Sequence, residues 1–186
     1  MNGSNFSKER VEIRLAGSGG QGIILAGVII AEAAAIYDGK NAVQTQSYGP
    51  ESRGGASRSE IVISEGEIDY PKVVCPDFVL LMTEEAANAY GTDVKPDGLV
   101  LVDYKRVTPP KTPARVVEIP LTTIAIEVTG RPISANIVAV GAVTALTGAV
   151  SVPSVEKAVA ARVPKGTQEL NIRALHAGIS AAEKLL

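Results

Sequence analysis

Short and long apolar segments alternate along the chain, and their lengths and periods predict its secondary structure. Short runs, alternating or continuous, favour strands at 11–16, 42–46, 57–64, 78–82, 99–103 and 116–119. Longer apolar or amphipathic runs favour helices at 23–36, 121–128, 136–147, 153–163 and 168–185, and another helix starts after Thr83. The run "FVLLM" at 78–82 is apolar throughout, which is typical of a central parallel strand buried on both faces.

Residues at the predicted helix ends support these assignments. Thr83 is suited to the N-cap position, and Glu84 and Glu85 follow it in the first turn, where the helix dipole favours negative charge. Ser134 precedes the apolar helix at 136–147, and Gly148 ends it.

The order of these elements predicts the fold class. Strands alternate with helices over most of the chain, and the C-terminal third is helical. We therefore expect a single α/β domain over residues 1–186, Rossmann-like and doubly wound. Its mainly parallel sheet should carry helices on both faces, and ligands of such folds bind where the loops leave the carboxyl ends of the strands.

Composition narrows the location and the partners. The chain is 46% hydrophobic but only 4% aromatic and has no Trp, so Ala, Val, Ile and Leu must form the core. The net charge of −2 gives no basic surface of the kind that nucleic-acid binding needs. The longest apolar run is shorter than the roughly 20 residues of a membrane helix, and the N-terminus is polar. We expect a cytoplasmic protein that binds neither nucleic acid nor membrane.

Cysteine and histidine each occur once, as Cys75 and His176. One Cys permits no internal disulfide and no conventional iron–sulfur cluster, and a metal site built from His and Cys is disfavoured. The sequence therefore predicts no metal site in this chain. We expect Cys75 to be an ordinary buried thiol and His176 to be structural or at the surface.

A glycine-rich segment, "GSGGQG", joins the first strand to the first helix. It fits the pattern G-x-G-x-x-G through Gly17, Gly19 and Gly22, with Gly20 between them. One interpretation is a phosphate-bearing ligand at the helix N-terminus, and the other is that glycine lets the helix pack closely on the strand. No acid stands at the end of the second strand, which argues against a nicotinamide cofactor, and no P-loop Lys follows the glycines.

A second polar, glycine-containing segment, "SYGPESRGGASRSE" at 47–60, follows the second predicted strand. It should leave the sheet at the same edge as the first loop, so that both line one cleft. Pro50 would stiffen it, and Arg53 would present a guanidinium fork to a carboxylate or phosphate. Arg58 lies in the next predicted strand, where pairing with Glu60 or another acid is the favoured role.

Both loops, together with "IDYPKVVCPDFVLLMTEEA", resemble the gamma subunit of 2-oxoacid:ferredoxin oxidoreductases, most closely the 2-oxoglutarate type. The resemblance covers nearly the whole chain. The residues that match the family's two loops are implied to bind cofactor; they are Gly17, Gly19, Gly20, Gly22, Tyr48, Gly49, Pro50, Glu51, Arg53, Gly54 and Gly55. The resemblance assigns a catalytic act to none of them.

The resemblance implies a division of labour among subunits. The complete enzyme would decarboxylate a 2-oxoacid, form an acyl-CoA and pass electrons to ferredoxin. Alpha and beta subunits would hold thiamine diphosphate with its Mg ion, and partner chains, including a ferredoxin-like delta subunit, would hold the iron–sulfur clusters. This chain would bind no cofactor alone but would line the active site on the coenzyme A side. The isolated chain should be inactive, and its apolar C-terminal helices are compatible with a homodimer.

Two alternatives remain open from the residues alone. The glycine loop by itself is compatible with a free-standing nucleotide-binding module, which calorimetry with NAD(H), NADP(H), ATP and coenzyme A would detect. Both loops are also compatible with a purely architectural subunit, in which they serve only contacts between subunits.

Overall fold

A computed structural model describes residues 9–47 and 56–186 of the chain. Within these ranges the strands are β1 (Arg10–Ser18), β2 (Asn41–Ser47), β3 (Ala56–Ser64), β4 (Phe78–Leu81), β5 (Leu99–Asp103) and β6 (Arg115–Ile119). The helices are α1 (Ile23–Glu32), α2 (Glu84–Tyr90), α3 (Leu121–Thr129), α4 (Ala135–Thr147), α5 (Val152–Arg162) and α6 (Gln168–Glu183). A π-helical turn, Ala33–Tyr37, extends α1, and a 3-10 turn, Pro132–Ser134, precedes α4.

The strands described form one six-stranded sheet in the order β2-β3-β1-β4-β5-β6. Strands β1, β4, β5 and β6 are parallel, whereas β3 is antiparallel to both of its neighbours, β1 and β2. The expected α/β fold with a mainly parallel sheet is confirmed. The sequence reasoning did not foresee that β2 and β3 form an antiparallel hairpin.

Helices cover both faces of the sheet, as expected, but unequally. Alternate β1 residues such as Ile13 and Leu15 are buried in the larger core, together with residues of α1, α3, α4, α5 and α6. The other face has a smaller core, in which Val79 and Leu81 of β4 are buried with residues of α2. The helical C-terminal third is also confirmed, and most of it packs on the larger core.

Glycines bring α4 and α6 unusually close together. A Cβ atom at Gly141 would lie 2.1 Å from the carbonyl oxygen of Leu175, and one at Gly178 would lie 1.9 Å from that of Val138. Each glycine therefore receives the backbone of the opposite helix, and no larger residue fits at either position without separating the helices.

Hydrogen bonds define the ends of two helices. The Thr83 hydroxyl accepts from the backbone N–H of Ala86, which confirms Thr83 as the N-cap of α2. Ser151 caps α5, which therefore begins one residue earlier than predicted. Partial burial raises the pKa of Asp38, but hydrogen bonds from Ser151 and Ser154 outweigh burial and hold that pKa below its ordinary value.

The predictions for His176 and Cys75 differ in how they compare with the structure. His176 is exposed on α6, and its Nε2 lies 2.7 Å from Glu156 Oε1, which confirms a surface role. Cys75 is half-buried rather than buried, because it lies in the irregular segment at the amino end of β4. In the part of the chain described, no helix combines the length and the hydropathy that a membrane span requires.

Candidate functional site

The loops at the carboxyl edge of the parallel strands define the candidate site. Strand β2 runs in the same direction as β1, because both are antiparallel to β3. Ser47 therefore lies at the same edge as Ser18, and Ala56, where the chain re-enters the sheet, pairs with Ser18. The segment 48–55 thus starts and ends beside the glycine loop. Its predicted cofactor-binding residues, Tyr48, Gly49, Pro50, Glu51, Arg53, Gly54 and Gly55, lie outside the described residues, and their role stays a prediction.

The glycine loop lies between β1 and α1, as predicted. Gly20 and Gly22 have φ angles of 85° and 74°, which are values that glycine adopts most readily. Gly22 is the N-cap of α1, and no side chain within residues 9–47 and 56–186 caps this helix. The first-turn N–H groups of α1 therefore have no side-chain acceptor in the part of the chain that the structure describes, which favours an anion at this position.

Close packing explains some of the loop glycines but not all of them. A Cβ atom at Gly22 would lie 2.3 Å from Asn136 Nδ2, and one at Gly17 would lie 2.4 Å from Gln21 Oε1. At Gly19 and Gly20, in contrast, a Cβ atom would meet no described heavy atom within 4 Å. The packing interpretation therefore applies to Gly17 and Gly22. The ligand interpretation is left for Gly19 and Gly20, which have no described neighbour at the Cβ position.

Gln21 links the first loop to the neighbouring strand. Its Oε1 accepts from the Ser18 backbone N–H at 2.8 Å, and its Nε2 donates to the Met82 carbonyl oxygen at 3.5 Å. Strands β1 and β4 are adjacent, but the chain continues from them in opposite directions across the sheet. Gln21 therefore lies at the point where strand order reverses, which is the usual ligand position in open α/β sheets.

A cavity of about 250 Å³ opens at this point of the sheet edge. Its walls come from the loops after β1, β4 and β5 and from the starts of α3 and α4. The lining residues are Gly20, Gln21, Met82, Arg106, Thr122, Pro132, Ile133 and Ala135. A second cavity of about 200 Å³ shares Ile133 and continues past Arg131 and Asn136 towards α6.

Asp103 lies at the end of β5, where it joins two walls of the first cavity. Its carboxylate accepts from the backbone N–H of Thr122 at 3.2 Å and from the Thr122 hydroxyl. Its Oδ2 also lies 3.9 Å from Arg106 Nε. Burial raises the pKa of this carboxyl above its ordinary value, even though the Thr122 hydrogen bonds and the Arg106 charge oppose the shift.

A second charged cluster lies on the opposite face of the sheet, beside α2. Arg14 donates to Glu60 at 2.8 Å and also pairs with Asp93. Arg58 Nε lies 3.9 Å from Glu60, so the predicted ion pair is confirmed. The guanidinium groups of Arg14 and Arg58 also lie 5.5 and 5.4 Å from the centroid of the Tyr90 ring. These contacts indicate a structural role for the cluster.

Sequence reasoning missed part of the site. Gln21 stands inside the recognised motif but was not singled out, and nothing in the local sequence pointed to Arg106 or Thr122. The available signal was Asp103, an acid at the carboxyl end of a buried apolar strand, where such folds place their ligands. Among the described residues, no group of three or more His, Cys, Asp or Glu side chains is arranged to hold a metal ion.

Comparisons with known proteins add an independent line of evidence. Residues 12–181 match the family model described as pyruvate ferredoxin/flavodoxin oxidoreductase. The chain is 54% identical to 2-oxoglutarate synthase subunit KorC of Methanocaldococcus jannaschii, over 96% of this chain and 97% of that protein. It is also similar to the crystal structure of a keto/oxoacid ferredoxin oxidoreductase gamma subunit from Geobacter sulfurreducens. The TM-score is 0.88 and the identity 49%, over 95% of this chain and 98% of the other.

A third comparison concerns the fold alone. A 2-oxoglutarate:ferredoxin oxidoreductase from Magnetococcus marinus, solved with 2-oxoglutarate, coenzyme A and succinyl-CoA bound, superposes with a TM-score of 0.85 at 24% identity. The match covers 97% of this chain but only 32% of the longer one. The fold described above therefore also occurs as one part of a larger chain.

Proposed function

Since this chain belongs to the pyruvate ferredoxin/flavodoxin oxidoreductase family and has the gamma-subunit fold of its 2-oxoacid enzymes, we propose that it serves 2-oxoglutarate oxidation. The complete complex would convert 2-oxoglutarate and coenzyme A to succinyl-CoA and carbon dioxide and pass two electrons to ferredoxin. Full-length similarity to a 2-oxoglutarate synthase subunit supports this choice of substrate.

We further propose that the carboxyl edge of the sheet is this chain's contribution to the active site, on the coenzyme A side. The observation that carries this proposal is the convergence of three features at one edge. They are the N-terminus of α1, which no described side chain caps, the positions Gly19 and Gly20, where a Cβ atom would meet no described atom within 4 Å, and Ser47, the residue before the segment 48–55. Coenzyme A carries several phosphates, and a helix N-terminus with an approachable backbone favours such groups.

The residues of this chain would bind and orient rather than react. The backbone N–H groups at the start of α1 would donate to phosphate oxygens, and Arg53 would add a fixed positive charge. Gln21 would hold the loop against the end of β4, through its bonds to Ser18 and Met82. Thiamine diphosphate supplies the decarboxylation chemistry, and in this proposal alpha and beta subunits hold it with its Mg ion.

The proposal includes partners and a location. A ferredoxin-like delta subunit would complete the complex and carry iron–sulfur clusters. We propose that such a complex works in the cytoplasm. Size-exclusion chromatography with light scattering would tell whether the isolated chain forms a homodimer.

Reconstitution of the complex tests the function directly. The complex purified with this chain should reduce ferredoxin when given 2-oxoglutarate and coenzyme A, whereas the chain alone should not. A complex of the remaining subunits, assembled without this chain, should lose coenzyme A-dependent turnover. If it retains full activity, the proposed role is wrong.

Variants of Arg53 separate an active-site role from an architectural one. Arg53→Ala should raise the KM for coenzyme A while the complex still assembles, and Arg173→Ala on the exposed face of α6 is the control. An architectural subunit is the second candidate, because Gly22 and Asn136 show that part of the motif serves packing. Arg53→Ala complexes with unchanged kinetics would favour that second candidate.

A further inference from the structure

Among the described residues that line the first cavity, one side chain is cationic and most of the others are apolar. Met82, Pro132 and Ile133 line it together with Arg106, whose side chain is 54% exposed. Arg106 donates no side-chain hydrogen bond to any other residue within 9–47 and 56–186, although a guanidinium carries five N–H donors. The cavity therefore suits a ligand with an apolar portion and one anionic group.

The position of Arg106 follows from the turn after β5. The backbone N–H groups of Arg106 and Val107 both donate to the Asp103 carbonyl oxygen, at 3.0 and 3.1 Å. Lys105, directly before Arg106, has a φ of 68°, a value that a residue with a side chain adopts only at some cost. This turn directs Arg106 into the cavity lining, while Lys105 lies over the Tyr104 ring, 5.6 Å from its centroid.

Asp103 is placed to attract the Arg106 side chain while leaving the N–H donors of the Arg106 guanidinium available to a ligand. Its carboxylate is buried and already accepts two hydrogen bonds from Thr122, so it does not depend on Arg106 for partners. Its distance of 3.9 Å to Arg106 Nε is long for a hydrogen bond, but it is short enough for charge attraction. Asp103 thereby connects the two cavity walls that Arg106 and Thr122 provide.

We propose that Arg106 binds an anionic group, phosphate or carboxylate, of the ligand that enters this cavity, and that Asp103 is its positioning residue. The identity of the ligand rests on the proposed function, in which coenzyme A and the 2-oxoacid are the two anionic substrates. The alternative is that Arg106 is a surface partner of Asp103 and nothing more.

Steady-state kinetics of the reconstituted complex test the role of Arg106. Arg106→Ala should raise the KM for one of the two anionic substrates about tenfold, with kcat within about twofold, because a charge-assisted hydrogen bond is lost. Arg106→Lys, which keeps the positive charge, should raise that KM by less than Arg106→Ala does. Lys105→Ala is the matched control, since it removes one positive charge from the same turn. If Arg106→Ala and Lys105→Ala behave alike, the proposal is wrong.

The choice of substrate identifies the group that is bound. If Arg106→Ala raises the KM for coenzyme A but not for dephospho-coenzyme A, Arg106 binds the 3′-phosphate. If it raises both KM values equally, Arg106 binds the pyrophosphate. If only the KM for 2-oxoglutarate rises, Arg106 binds a carboxylate of that substrate. Calorimetry of the complex with inorganic pyrophosphate and with glutarate gives a measurement that does not depend on turnover. Even if the complex proves inactive, one probe should bind the wild type about tenfold more tightly than Arg106→Ala, and equal binding overturns the inference.

A double-mutant cycle tests Asp103. Asp103→Asn keeps the size of the side chain but removes its charge, so it should raise the same KM about threefold, a fraction of the Arg106→Ala effect. In the Arg106→Ala background the same substitution should have no further effect on that KM. A purely structural Asp103 would instead lower stability or kcat in both backgrounds, and that result would refute its positioning role.

Discussion

Three alanine substitutions in the glycine loop should have graded effects on stability, because their positions differ in backbone angle and in space. Gly19 lies outside the left-handed region and has no described neighbour near its would-be Cβ atom. Gly20 has a φ of 85° but also has open space. Gly22 has a φ of 74° and a would-be Cβ atom 2.3 Å from Asn136 Nδ2 and 3.0 Å from its Cγ.

The expected magnitudes follow from these two properties. Gly19→Ala restricts only the unfolded chain, so it should be neutral or stabilise the protein by up to about 1 kcal/mol. Gly20→Ala forces a side-chain-bearing residue into a left-handed conformation, which costs about 1–2 kcal/mol. Gly22→Ala carries the same strain and also displaces Asn136, for a total loss of about 2–5 kcal/mol.

Urea denaturation of the purified chain measures the free energy of unfolding of each variant. Far-ultraviolet circular dichroism is the suitable signal, because the chain has no Trp whose fluorescence could be followed. The midpoints should fall in the order Gly19→Ala, Gly20→Ala, Gly22→Ala at constant m-value. If Gly22→Ala costs no more than Gly20→Ala, the contact with Asn136 does not exclude a side chain. The double variant Gly22→Ala/Asn136→Ala isolates that contact, since removing the amide should reduce the cost of the Gly22 substitution.

Three further substitutions test the packing and the charges. Gly178→Ala should lower the free energy of unfolding by about 3 kcal/mol, because its Cβ atom would lie 1.9 Å from the Val138 carbonyl oxygen; an unchanged melting temperature would contradict the close α4–α6 contact. Asp38→Ala should cost stability at neutral pH, and because the folded-state pKa of Asp38 is lowered, the part of that cost due to the carboxylate charge should start to shrink as the pH falls below about 4 and be lost below the folded-state pKa. Urea midpoints measured across that range would show the convergence, and a constant difference would count against it. Arg14→Met should cost about 3 kcal/mol in urea denaturation by leaving Glu60 without its nearest cation, and Arg14→Met/Glu60→Leu should recover part of that loss.

Hydrophobic pattern and turn chemistry were enough to predict every strand of the described residues to within one or two positions. The run 78–82 was recognisable because a strand buried on both faces, here Phe78–Leu81, needs continuous apolar residues. The π-helical turn Ala33–Tyr37 was not predicted, because an alanine-rich segment is compatible with either helical geometry.

The direction of β3 could have been predicted, but the relevant signal is length rather than pattern. Parallel neighbours need a crossover of about a dozen residues or more, and only the segment 48–55 separates β2 from β3. That connection is too short for a crossover, so an antiparallel hairpin was the available choice. Apolar alternation alone does not reveal strand direction, because side chains alternate between faces in either case.

The cavity residues were harder to predict for a different reason. Gln21 and Arg106 are brought together only by the order of strands in the sheet, and no local pattern encodes that order. The glycine motif pointed to the edge of the sheet where the cavity lies but not to the side chains opposite the motif. Asp103 was visible as an acid at a strand end, yet its link to Thr122 depends on where α3 begins.

The hairpin formed by β2 and β3 has a consequence for how such a domain can diversify. Ser47, where β2 ends, and Ala56, where β3 begins, lie at the same edge of the sheet. Residues can be inserted, deleted or exchanged there while every strand keeps its neighbours and its register. Under the role proposed above for the segment 48–55, a family that shares this architecture would keep the scaffold unchanged and alter its ligand preference within that one short stretch of sequence.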